Sequence, residues 1–379
     1  MKRIIYISNY MSHDLVEKRN NINVFSQAGN NKTMGIYNAL SSAGCKVEML
    51  STGLVSGRSG KIYSKEEERY NDGTIFYATG FAAPFFNTIV SGISLWRKIK
   101  QECAVKIPDY ILFYNFKLET ALPAYLAKKR YGVPIAVEYE DGYDAVNEVA
   151  GIKRKILIAI ESFMLNKIDS AIIVTSKVAE KFRVPTTVVR GIINTQYYEY
   201  CKTHVKKEHD KLMILYTGGL DKARGIDVLL KAIQYCDFDF RLVITGKGKM
   251  EFQDDRVEFL GFVPFECVQE LTAEADVLVQ CQLAGNDFGN VSFPSKMYEY
   301  IASGNYIVSS TVSDIKEFAG DNIALYDNDS PEELANLLRQ CNDLWKSGKL
   351  KNNGVESLRE RNMPETIGQQ ICSMLFRRD

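Results

Sequence analysis

The stretch Phe293-Pro294-Ser295-Lys296-Met297-Tyr298-Glu299-Tyr300-Ile301-Ala302-Ser303-Gly304-Asn305-Tyr306-Ile307-Val308 joins a proline-started helix to an apolar strand, and Glu299 is the one carboxylate in it. A proline at a helix start has no amide hydrogen to waste. The residues after it expose unpaired amides where the helix dipole is positive, so an anion such as phosphate is favoured there. Glu299 falls one turn further in, between Tyr298 and Tyr300, in a helix that otherwise reads as core. An unpaired carboxylate in that setting is costly, so a dedicated partner is expected.

Outward from this stretch, β-rich runs alternate with helical periodicity along the whole chain. Arg3 to Ser8, Val47 to Ser51, Thr74 to Ala78, Tyr110 to Tyr114, Ile135 to Glu138, Ala171 to Val174 and Thr186 to Val189 read as strands, with helical patterns between them. The pattern lapses across a polar stretch from about Gly191 to Asp210 and then restarts at Leu212 to Tyr216, Arg241 to Thr245, Val257 to Phe259, Val277 to Gln280, Tyr306 to Ser309 and Ile323 to Leu325. Such alternation predicts parallel sheets with helices on both faces. The reading is an α/β chain with a domain at 1–190, a linker at 191–211, a second domain at 212–360, and a C-terminal helix at 361–379 that returns to the first domain. Open parallel sheets bind ligands beyond the carboxyl ends of their strands, and the active site is expected in a cleft between the halves.

Composition narrows the function. The 379 residues are 46% hydrophobic and 25% charged, enough for two ordinary cores. Lys plus Arg balances Asp plus Glu at 47 each, so no global field recruits nucleic acid, and any anion site is local. Eight cysteines form no CxxC pair and read as reduced core residues of a cytoplasmic protein. Lys2-Arg3 precedes only four apolar residues, so neither a signal peptide nor a membrane span is expected. The three histidines, His13, His204 and His209, lack ligand spacing, and no histidine-based metal site is expected.

Several motifs could carry chemistry. Leu215-Tyr216-Thr217-Gly218-Gly219-Leu220-Asp221-Lys222-Ala223-Arg224-Gly225 runs from strand through glycine turn to a basic loop. Its glycines let amides approach a ligand while Lys222 and Arg224 neutralise a diphosphate; the other reading is a glycine turn with two solvated cations. Gly246 and Gly248 read as geometric needs of a strand-to-helix turn, and Val263 as backbone that meets the edge of a base. The loop Gly285 to Ser292, with Asp287 and Asn290, offers donors to sugar hydroxyls or phosphate, or is a plain surface loop. In the first half, Ser26 to Lys32 resembles a substrate loop. Glu138-Tyr139-Glu140-Asp141-Gly142-Tyr143-Asp144 ends a strand with four carboxylates, and Asp141 is the candidate for hydroxyl recognition or proton transfer, against a solvated acidic loop. Two basic amphipathic runs, Trp96 to Lys100 and Lys153 to Ile158, are candidates for contact with anionic lipid or are solvated helix faces.

Taken together, Gly218-Gly219-Leu220, Arg224-Gly225-Ile226, Phe259-Leu260-Gly261 and Pro294-Ser295-Lys296-Met297-Tyr298-Glu299-Tyr300 resemble, in order, the retaining nucleotide-sugar glycosyltransferases of family four. The resemblance implies the GT-B architecture, two facing Rossmann-like domains with a central cleft. It implies a nucleoside-diphosphate sugar as donor, UDP or GDP rather than ADP, with no metal or other cofactor. A saccharide or lipid-linked acceptor is implied, in bacterial polysaccharide or glycolipid assembly, with the enzyme cytoplasmic or peripheral at the inner membrane face. By resemblance Glu299 holds the ribose hydroxyls, Arg224 pairs with the diphosphate, amides near Ser295, Lys296 and Met297 complete the phosphate site, and Val263 reads the base. This sequence departs from the family at three places. Val291 stands eight positions before Glu299 where many members carry a second glutamate, Gly219 stands where a basic residue is more common, and Asp141 stands near the place of a histidine. Sugar contacts then fall to Asp287, Asn290 or Lys296, and the second positive charge to Lys222. An epimerase or hydrolase of the same architecture, and a binding subunit without turnover, remain the other readings.

Overall fold

The computed structural model describes residues 1–19, 26–55, 57–71, 73–140, 151–249, 251–285, 293–327, 329–351 and 354–377. These form two compact units, residues 1–192 with 364–379, and residues 193–363. In chain order the first unit contains β1 (Arg3–Ser8), α1 (His13–Lys18), α2 (Gln27–Ser42), β2 (Lys46–Ser51), β3 (Ile62–Tyr63), β4 (Glu66–Tyr70), β5 (Gly73–Tyr77), β6 (Gly80–Phe81), α3 (Pro84–Val105), β7 (Tyr110–Tyr114), α4 (Leu118–Tyr131), β8 (Ile135–Tyr139), α5 (Gly151–Leu165), β9 (Ser170–Ile173) and β10 (Thr186–Val188). The second contains α6 (Thr195–Thr203), β11 (Leu212–Thr217), α7 (Ile226–Gln234), β12 (Phe240–Thr245), β13 (Val257–Gly261), α8 (Phe265–Glu274), β14 (Val277–Gln280), α9 (Met297–Ser303), β15 (Tyr306–Ser310), α10 (Ile315–Ala319), β16 (Ala324–Tyr326), α11 (Pro331–Lys346) and α12 (Val355–Arg361). A last helix, α13 (Pro364–Leu375), belongs to the first unit.

The first sheet has the order β10-β9-β8-β7-β1-β2-β5-β4, parallel except for β4. The second has the order β13-β12-β11-β14-β15-β16 and is parallel throughout. Both have a Rossmann-like pattern, because the crossover from one parallel strand to the next needs a helix. Their central strands are fully buried, as the runs Ile4-Ile5-Tyr6-Ile7 and Leu212-Met213-Ile214-Leu215 require. Helix α7 shows why the pattern was readable: Ile226, Leu229, Ala232 and Ile233 fall at helical spacing and are buried against the second sheet.

Three elements depart from the sequence reading. β4, Glu66-Glu67-Glu68-Arg69-Tyr70, is an antiparallel edge strand, and charges on an edge hide its strand character. The 191–211 stretch, expected to be a linker, carries α6, whose start Asn194 caps by accepting from the Tyr197 amide at 3.0 Å. Its Tyr197 is buried, so one aromatic ring fixes a segment whose polar remainder suggested a tether. The helix expected from Ser295 begins at Met297, because the Met297 amide closes a tight turn onto the Pro294 carbonyl at 3.1 Å.

Helix α13 packs on α2 so closely that a Cβ at Gly368 would lie 1.9 Å from the Ala39 carbonyl oxygen. Backbone cannot yield as a flexible side chain can. Gly368→Val is therefore expected to destabilise the first unit by about 2 kcal/mol or more, seen as a lower midpoint in urea or thermal unfolding.

Candidate active site

In the second unit the loops that carry the candidate residues follow β11, β12 and β14, and the polar side chains beneath them come from the ends of β14 and β15. Three loops are laced together there. The Gly218 amide donates to Thr245 O at 3.0 Å, Leu220 N to Lys247 O at 2.9 Å, and Gly246 N to Gly261 O at 2.9 Å. A Cβ at Gly246, which has φ of +154°, would fall 1.6 Å from Gly218 O, so this glycine is a packing requirement, as the sequence suggested. The Tyr216 hydroxyl donates to Gly219 O at 2.7 Å and fixes the turn from beneath. Gly218 and Gly219 are thus held in one conformation and partly exposed.

Lys222 and Arg224 follow on a single 3₁₀ turn that Asp221 caps, accepting from the Arg224 amide at 3.2 Å. Lys222 is exposed. The Arg224 side chain is 42% exposed, donates from Nη1 to Gln282 Oε1 at 3.3 Å, and lies 4.0 Å from Asp221 through Nε. Gln282 is itself buried with Gln280, Ser309 and Ser310, and the Ser310 hydroxyl bridges this group by donating to Gln282 O at 2.6 Å. The guanidinium is therefore oriented by a polar floor built from strand ends.

Glu299 has the partner its setting demanded: Lys296 Nζ lies 2.7 Å from Oε2, one turn earlier. Next to it, Tyr300 is buried and its hydroxyl meets both the Thr217 amide and Thr217 Oγ1 at 3.1 Å. That phenol fastens the Glu299 helix to the last residue before the glycine loop. Tyr197 of α6 backs the same helix; burial, then the Glu299 charge, pushes its hydroxyl pKa up. Ser295 is exposed and Lys296 half-buried, whereas Met297 is fully buried and its amide is used in the turn. Val263 is half-buried beside exposed Phe262, over which Lys247 Nζ sits at 5.3 Å. Asn290, Asp287 and Val291 lie outside the described residues. The chain entering that loop is held by Asp329, which accepts from the Ala284 and Gly285 amides at 2.9 and 3.2 Å.

In the first unit Asp141 also lies outside the described residues, but its neighbours form a distinct cluster at the end of β8. Lys32 of α2 pairs with Glu140 at 2.7 Å, and the Tyr114 hydroxyl donates to Glu140 at 2.8 Å. Glu138 is fully buried; one carboxyl oxygen meets the Tyr6 hydroxyl, and the other has no hydrogen-bond partner among the described residues. Burial, with the Glu140 charge adding to it, pushes its pKa up to about 8. Burial thus favours the neutral form of this acid. Ser26 caps α2 by accepting from the Gly29 amide at 3.2 Å, so the expected substrate loop is that helix's first turn.

The sequence reading missed Tyr300, Tyr216 and the Gln280, Gln282, Ser309 and Ser310 floor. The signal was present: buried strands that finish in glutamine and serine instead of valine or isoleucine must satisfy those side chains internally.

Comparison with known proteins places this geometry. Residues 211–343, from the start of β11 into α11, match the model for Glycosyl transferases group 1. HepE of Anabaena, solved in complex with UDP, is 14% identical with a TM-score of 0.65 over 99% of each chain. The lipopolysaccharide outer core galactosyltransferase WaaB, in its apo form, is 15% identical with a TM-score of 0.63, again over 99% of each chain. The chain has the GT-B fold. Among curated relatives, the amylovoran biosynthesis glycosyltransferase AmsK of Erwinia amylovora is 28% identical over 31% of this chain, and the match spans about a third of AmsK, 32% of its length. Among the described residues no helix is long and apolar enough to cross a membrane.

Two outcomes follow within this GT-B chain. Tyr300→Phe leaves the buried Thr217 amide unpaired, and a loss of roughly 1–3 kcal/mol is expected in unfolding of the second unit. For Glu138 the unfolded chain releases its proton near 4.5 while the folded one keeps it to about 8, so unfolding releases a proton and stability falls as pH rises through that window. Glu138→Gln copies the neutral form. Its unfolding free energy, measured from pH 5 to 8, is expected to lack the downward slope of the parent.

Proposed function

We propose that this GT-B chain is a retaining glycosyltransferase that moves a sugar from a nucleoside diphosphate, UDP or GDP, to an acceptor hydroxyl. The observation that carries the reading is the Tyr300 to Thr217 contact, which fastens the Glu299 helix to the strand feeding the glycine loop with Lys222 and Arg224. A carboxylate suited to ribose hydroxyls and two cations suited to a diphosphate therefore sit on one strand-end edge. The group 1 match over 211–343 and the UDP bound to HepE support it.

In this reading Glu299 accepts from the ribose hydroxyls, Val263 offers its backbone to the base, and Gly218 and Gly219 allow close approach of the sugar diphosphate. Arg224 and Lys222, with the Ser295 and Lys296 amides, take up the charge that develops on the departing diphosphate, and no bound cation is required. Lys296 holds Glu299 oriented and faces the phosphate side. The acceptor hydroxyl attacks from the face the diphosphate leaves, and a diphosphate oxygen accepts its proton. Asn290 and Asp141 are assigned to sugar and acceptor contacts. The acceptor is a saccharide or a lipid-linked saccharide of bacterial polysaccharide or glycolipid assembly, in keeping with the amylovoran and lipopolysaccharide roles for which AmsK and WaaB are named. Val291, in place of a second carboxylate, favours one other reading, a nucleotide-sugar-binding subunit without turnover.

Calorimetric titration tests the assignment. Glu299→Ala is expected to weaken UDP or GDP binding by about 1.5–3 kcal/mol, the range of a hydrogen bond to a charged group. Arg224→Ala is expected to weaken the diphosphate more than the bare nucleoside. Unchanged affinity in a folded Glu299 variant, or equal losses for both ligands in the Arg224 variant, would contradict it.

A further inference from the structure

The outer face of α3 is exposed and apolar over its N-terminal half. Phe85 is 73% exposed, Phe86 58%, Ile89 43% and Ile93 47%. These positions fall on one helical stripe, and their exposure is unusual, since large apolar side chains at this spacing normally mark a buried face. The stripe continues past the helix start: Phe86 packs edge-on against Phe85 and Phe81, and Phe81 pairs across β6 and β3 with Ile62, which is 67% exposed.

Charge along this patch is one-sided. No acidic residue occurs from 80 to 101 or from 52 to 65. Arg58 and Lys61 lie exposed at the β3 end, and Arg97 and Lys100 lie exposed towards the other end of the helix. The acids on neighbouring elements are engaged elsewhere. Glu66 pairs with Lys18, Glu67 and Glu102 pair with Lys98, Glu68 accepts from Tyr77, and Glu161 accepts from Tyr139. Glu119, half-buried at the start of α4 where Gly92 packs, is an acid beside the patch, and the cations of its own helix, Lys128, Lys129 and Arg130, stand at the opposite end. The adjacent helical layer repeats the pattern: α4 and α5 enclose an apolar groove of about 430 Å³ with Leu122, Ile156 and Phe163 exposed at its rim, and Arg154 and Lys155 precede it.

We propose that the α3 face is a docking surface for an anionic membrane. Aromatic and aliphatic side chains flanked by cations, with the helix lying in the plane of the interface, match what such a surface offers. A second copy of this chain is a poorer occupant. Both ends of the stripe are basic, so any two-fold pairing brings cations against cations. The inference goes beyond glycosyl transfer and does not depend on it.

Co-sedimentation of the full chain with vesicles, without donor or acceptor, tests it. Binding is expected to vesicles of phosphatidylcholine with phosphatidylglycerol, to be weak on phosphatidylcholine alone, and to fall as salt rises. The triple change Phe85→Ser, Phe86→Ser, Ile89→Ser is expected to reduce binding by roughly a hundredfold, and Arg97→Gln with Lys100→Gln by roughly tenfold. Both variants change exposed side chains and are expected to keep the parent's unfolding midpoint. No binding to anionic vesicles, or binding that the folded triple variant retains, overturns the proposal. So does self-association in sedimentation equilibrium that the triple variant abolishes.

Discussion

The Tyr300 hydroxyl is the contact on which the second unit's strand-end edge depends. Parallel strands that stop in a buried place leave their last amides without a ladder partner, and a buried unpaired amide costs as much as a lost hydrogen bond. Thr217 is such a residue, and a phenol from the neighbouring helix pairs with both its amide and its hydroxyl. One side chain thereby satisfies the end of β11, sets the position of α9, and fixes where the glycine loop begins. The surrounding polar floor repeats the logic: Ser309 and Ser310 satisfy Gln280, and Gln282 orients Arg224.

On that frame Glu299 and Arg224 each have a neighbour that orients them. Glu299 is held by Lys296, and Arg224 by Gln282 and by the nearby Asp221. Charged groups oriented in advance lose little freedom when an anion or a diol binds, which is the physical advantage of a preformed site. The first unit treats its carboxylates differently. Lys32 pairs with Glu140, while burial raises the proton affinity of Glu138.

Much of this was legible in the amino acids. Alternating strand and helix patterns gave both sheets, because fully buried parallel strands are continuous apolar runs, and α7 declared its inner face by spacing alone. Glu299 was readable as a carboxylate that needed a partner, and Lys296 is that partner. Other features were hidden by tertiary context. Tyr300 read as core, since nothing local distinguishes a packed ring from one whose hydroxyl spans two elements. α6 was masked by its polar flank, β4 by the charges an edge strand carries, and the start of α9 by a turn that uses the Met297 amide. The unusual acid of the first unit proved to be Glu138, among the described residues, because burial and not loop position sets its proton affinity.

The reading that joins these parts is that a donor diphosphate leaves from the edge occupied by Arg224 and Lys222 while an acceptor hydroxyl takes its sugar. The most direct measurement is incubation of isotope-labelled UDP- and GDP-sugars with the full chain, with and without saccharide and lipid-linked acceptors, followed by determination of the anomeric configuration of any product. Transfer that requires an acceptor and keeps the donor's configuration is the predicted result. An inverted product, free isomerised sugar, or tight nucleotide binding with no turnover on any acceptor would contradict it.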